Sequence, residues 1–131
     1  MNDFIKKLVE IEKSTSKEKG DFKLFAVFAR TDHFGKWDIV ISADWIKDEL
    51  EGLELISKKL TKTLSVDELL SIARIVNLDV SDKFVHLANH LFKVKNHNCI
   101  TIENTEINGL LISRGFIIAS QNEKSTAVSA R

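Results

Sequence analysis

The sequence predicts a single α+β domain in which a mixed or mainly antiparallel sheet packs with about four helices. Three observations carry that expectation. Some segments repeat apolar residues at helical spacing, while others are short aromatic or β-branched runs. The two kinds are interleaved as helix, strand, strand, helix, helix, strand, helix, strands. The 131 residues suffice for one good hydrophobic core but not two, and no repeat or linker divides them. The domain is therefore assigned to 1–120, with a polar, Ser- and Ala-rich tail over 121–131 expected to fray.

Phe4, Leu8, Ile11 and Thr15 are spaced by three and four, which predicts an amphipathic helix over 3–16. Ser14 to Gly20 reads as its stop. Phe22 to Ala29 is almost continuously apolar, as expected of a strand buried on both faces. After the polar connection Arg30 to Lys36, Trp37 to Ile41 reads as a second strand, antiparallel to the first because the loop is short. Ser42 is the expected cap of a helix from Ala43 to Leu64, with Ile46, Leu50, Leu53, Ile56, Leu60 and Leu64 as its core stripe. Its acids come first (Asp44, Asp48, Glu49, Glu51, Glu54) and its lysines last (Lys58, Lys59, Lys62), as the helix dipole favours. Gly52 inside it marks a kink or a close contact.

Ser65 and Glu68 have the spacing of a capping box, opening a short helix that ends near Ala73. Arg74 to Leu78 reads as a strand, with a continued helix as the alternative. Asp79 to Ser81 is expected to cap a helix over 82–95. Cys99 to Glu103 alternates like a strand, Asn108-Gly109 is a hairpin dipeptide, and Phe116 to Ala119 is a further apolar run.

Composition narrows the function classes. Hydrophobic residues make up 44% and charged residues 29%, a globular mixture. Nineteen basic residues balance nineteen acidic ones, so the positive excess that drives phosphate or anionic-lipid binding is missing. Nucleic acid is therefore a poor candidate partner; Lys58, Lys59 and Lys62 make a local basic patch without a reading element. No run approaches the roughly 18–20 apolar residues of a membrane span. The lone Cys99 cannot close an intrachain disulfide, and Met1 to Glu10 lacks a signal-peptide layout. These features place the chain in a reducing cytoplasm. Abundant lysine, isoleucine and asparagine without proline give a bacterial flavour.

Three clusters offer chemistry. Asp82, His86 and His90 fall one helical turn apart on the predicted third long helix, where two imidazoles and a carboxylate reach a single zinc or iron. His97 is a fourth ligand at most. Against this, Lys83 and Lys93 flank the line, and Asp82 equally suits a helix N-terminus. Arg30, Asp32, His33, Lys36 and Asp38, with Asp44, form a charged loop of the type that carries function or merely turns the chain. Glu10 or Glu12 with Asp38 imitates the start of a magnesium-nuclease arrangement, but Asp38-Ile39-Val40 lacks the assisting lysine. Trp37 and Trp45 bracket the second strand as packing residues or, where exposed, as binding anchors.

No nucleophile elbow and no phosphate-binding glycine loop is present. The leading expectation is a non-enzymatic protein-binding or self-assembling module with no cofactor, the binding candidates being Trp37, Trp45, Arg30, Asp32 and His33. Its motive is apolar surplus: Phe22 to Ala29 and Leu110 to Ala119 look hydrophobic on more than one face, inviting a second copy. The enzyme alternative is a metal-dependent hydrolase on Asp82/His86/His90 or the Asp32–Asp38 loop.

Overall fold

The computed structural model describes residues 3–30, 36–94 and 99–120, the side chain of Arg30 excepted. The loop candidates Arg30 (side chain), Asp32 and His33, together with His97 and the 121–131 tail, lie outside the described residues. In chain order the elements are α1 (Asp3–Lys19), β1 (Leu24–Arg30), β2 (Trp37–Ser42) and α2 (Glu49–Thr63). They continue with α3 (Val66–Leu70), β3 (Ile72–Asn77), α4 (Lys83–Leu91), β4 (Ile100–Ile107) and β5 (Leu110–Ser120). One sheet runs in the order β3-β2-β1-β5-β4. Its pairs are antiparallel except β2 with β3, which are parallel because α2 carries the chain back between them.

Helices cover both faces of the sheet. On one, α1 (Ile5, Leu8, Ile11) and α2 (Ile56, Leu60) pack on Phe25, Val27, Ile39, Ile41 and Ile118. On the other, Phe84, Val85 and Ala88 of α4 pack on Leu24, Ala26, Phe28, Val40 and Ile117. This corrects two expectations. There are two apolar layers, one per sheet face, rather than a single interior. The surplus in Phe22 to Ala29 is likewise absorbed within the chain: β1 is central, and Leu24 to Val27 are 0% exposed. Ile112 and Phe116 to Ile118 of β5 are buried too, which leaves Leu111 exposed near the hairpin turn. A second copy is not needed to cover these strands.

Several boundaries also shift for local reasons. Ser42 is the last, fully buried residue of β2, and the cap of α2 lies six residues beyond it at Asp48, whose side chain accepts the Leu50 N–H. The intervening loop tucks inward: Trp45 donates its Nε1–H to the Gly20 carbonyl at 2.8 Å and meets Phe22 edge-on at 5.4 Å. Gly52 permits this packing, because a Cβ there would sit 2.8 Å from both Ile46 Cγ2 and Asn77 Nδ2. The Ser65–Glu68 capping box forms as its spacing predicts. Helix α4 is shorter than the expected 82–95, and Asp82 itself is its cap, accepting from Phe84 N–H at 2.8 Å. Segment 72–77 is a strand, as one of the two readings had it. Asn108 and Gly109 both have positive φ, 49° and 84°, the geometry of a tight primed hairpin turn. That turn allows β4 and β5 to run well beyond the short strands expected.

Candidate functional site

The structure separates most of the side chains that the sequence singled out. Trp37 packs half-buried between Phe4 (6.2 Å) and Phe116 (5.8 Å), while Trp45 is held by Gly20 and Phe22. Asp82 caps α4, and His86 and His90 lie exposed along that helix. Among the described residues, no three of His, Cys, Asp and Glu gather in a group that could hold a metal ion. Glu12 and Asp38 are both buried, at 2% and 3% exposure. Alternation along β2 puts Asp38 with Val40 on the α4 side, whereas Glu12 belongs to α1 on the opposite side. The nuclease-like pairing is thus divided by the sheet. Arg74 closes over Asp38, with Nε 3.3 Å from Oδ2 across the β2–β3 register.

A different region concentrates exposed apolar surface. It surrounds β3, one of the two edge strands. The other edge, β4, carries exposed Glu103 and Glu106, and Asn104 at φ 47° interrupts its extended backbone. Charges and local distortion on an edge discourage pairing with another chain. Strand β3, Ile-Ala-Arg-Ile-Val-Asn, has one charged residue, and that arginine reaches back over Asp38. Among the described residues nothing pairs with the outer side of β3.

Beside β3 runs a groove of about 390 Å³ walled by Leu53, Ser57, Leu60 and Thr61 of α2, Leu69 of α3, and Ile72, Ile75 and the charged Arg74 of β3. The neighbouring helices carry three exposed apolar side chains, Leu50 (61% exposed) at the start of α2 and Val66 (71%) and Leu70 (63%) on α3. Each is turned outward for an identifiable reason. Ile56, Leu60 and Gly52 fix the inward face of α2, and at 100° per residue Leu50 stands about 120° away from Ile56. In α3, Glu68 is drawn towards α1 by Lys7 Nζ at 2.8 Å, while Leu69 packs inward. Val66 and Leu70, one turn apart, are then left on the outer side. The Lys7 ammonium and the Ser65 N–H both bond to the Glu68 carboxylate and hold its pKa below the ordinary value, which keeps this arrangement charged and in place.

Compared with protein-family models, with curated proteins and with solved structures, the chain matches none.

A second concavity, about 440 Å³, opens at the carboxyl ends of the parallel strands β2 and β3, between the loops that follow them. Open α/β sheets often hold ligands in such a place. Here the polar wall is engaged locally: Lys23 Nζ lies 3.8 Å from Asp44, and Asp79 accepts from both the backbone and the hydroxyl of Ser81. Those two bonds lower the Asp79 pKa. The rest of its wall is Ala43, Ile46, Leu78 and Val80 together with Lys47, Glu49 and Asn77.

The residues around β3 escaped the sequence reading. Leu50 falls in the core stripe that periodicity predicts for α2, and Val66 and Leu70 fall in the short helix predicted after Ser65. A signal was present: seven leucines or isoleucines between 46 and 64 exceed what one stripe holds.

Proposed function

We propose that the chain is a non-enzymatic protein-binding module that docks another polypeptide along the β3 edge, in a cytoplasmic setting. The observation that carries this reading is the contrast between the two edges. Strand β4 has charges and a backbone interruption, whereas β3 is short of charge and bordered by Leu50, Val66 and Leu70. An exposed edge supplies main-chain hydrogen bonds to an added strand, and neighbouring apolar pockets take its alternate side chains. Contiguous apolar surface of this kind marks interaction sites. The lone cysteine fits a reducing compartment: burial pushes the Cys99 thiol pKa up, favouring an unreactive protonated thiol.

The test is site-specific photo-crosslinking in cells expressing the full chain. A benzophenone side chain at position 50 or 70 is expected to capture a polypeptide. The same group at position 111, half exposed but on the β4–β5 hairpin, is the control and is expected to capture none. Equal capture at all three positions, or no capture at 50 and 70, would overturn the reading.

A further inference from the structure

We infer that the polypeptide docked on β3 is a second copy of this chain, joined about a two-fold axis that pairs β3 with β3 antiparallel and lays α2 against α2. This rests on the docking surface proposed above and adds the identity and register of its occupant. The argument is self-complementarity. A two-fold interface brings the same patch together head to tail, so each feature at one end must match a feature at the other.

The patch meets that condition in charge. On the outer side of α2, exposed Glu54 and Lys58 stand one turn apart beside Ser57, whereas Glu51 lines a concavity with Lys19 and Trp45 on the flank towards α1. Lys59 is already engaged by Glu18 at 2.9 Å. Two such helices side by side in the same direction would set acid against acid. Reversing one of them about an axis near residue 56 brings Glu54 to the second copy's Lys58, twice.

The apolar residues obey the same symmetry. Asn77 Nδ2 bonds to the Glu49 carbonyl, which pins the start of α2 to the end of β3. Leu50 therefore flanks the carboxyl end of β3. Helix α3 leads directly into β3 through Ser71, so Val66 and Leu70 flank its amino end. Antiparallel pairing of β3 with its copy brings Leu50 of each chain towards Val66 and Leu70 of the other. Near the middle, where the axis passes, α2 offers the small side chain of Ser57, which borders the groove. A small residue there lets two helices approach closely.

Sedimentation equilibrium of the full chain tests this. The wild type is expected to be a dimer. Glu54→Lys alone and Lys58→Glu alone each turn two attractions into two repulsions and are expected to weaken dimerisation by about tenfold or more. An equimolar mixture of the two variants restores opposite charges at both symmetric contacts, so it is expected to dimerise like the wild type. As a second readout, Ser57→Cys in a Cys99→Ser chain is expected to give a disulfide-linked dimer on mild oxidation, while Lys17→Cys in the same chain is not. A monomeric wild type, or a mixture no better than its components, would overturn the inference. Crosslinks from positions 50 and 70 to a polypeptide other than this 14.8 kDa chain would overturn it too, while leaving the docking surface standing.

Discussion

Phe28→Ala is expected to destabilise the chain by about 3–5 kcal/mol, in the range seen for loss of a fully buried aromatic ring. Phe28 is 1% exposed on the central strand. Its ring meets Phe84 of α4 edge-on at 5.7 Å, and it fills the space left by Gly115, where a Cβ would lie 2.7 Å from Phe28 Cδ1. The ring therefore joins three elements at once. Helix α4 is nine residues long and, among the described residues, is the helix that packs on this sheet face, so little else is at hand to fill the cavity. Typical domains have only about 5–15 kcal/mol in hand. Thermal unfolding should accordingly fall by more than about 10 °C. Leu111→Ala, 50% exposed, is the matched control and should change stability by no more than about 0.5 kcal/mol.

The double variant Leu50→Asp/Leu70→Asp is expected to do the reverse: leave the single chain intact and abolish its association. Both leucines are more than half exposed, so little packing is lost in the isolated chain. Position 50 lies in the first turn of α2, where a carboxylate is favoured by the helix dipole. Thermal unfolding at low concentration should hence stay within about 0.5 kcal/mol of the wild type. In an interface centred on β3 the same carboxylates would lose water against apolar neighbours, a penalty of several kcal/mol. Association should weaken by at least about a hundredfold, read by sedimentation at matched concentrations. A variant that associates normally would move the binding surface elsewhere, with Leu87 and Leu91 on α4 as the next exposed apolar pair.

The local signals in the sequence proved the most legible. Ser65 with Glu68, Asn108 with Gly109, and the continuous apolar run of β1 each depend on chemistry within a few residues, and each forms where the spacing puts it. Boundaries that depend on tertiary contacts did not read correctly. Ser42 has a capping side chain, yet the sheet claims it, and Trp45 draws the following loop inward until Asp48 starts the helix. Periodicity could not assign Leu50, because a helix wheel shows which residues share a face but not how wide a face the neighbours will cover. The expectation of surplus apolar strands failed for a related reason. Composition cannot show that α4 crosses to the far side of the sheet and covers it. The surface that matters is instead defined by strand order, with β3 left at the margin, and strand order is set by long-range pairing.

Amide hydrogen exchange on the wild-type chain, followed as concentration is raised through its association range, reads the β3 edge itself. Exchange over 72–77 is predicted to slow as the chains associate, together with 50–58 on α2, while 100–107 on the guarded edge stays unchanged. Association that leaves 72–77 exchanging as before, or that protects 100–107 instead, would contradict an interface at β3.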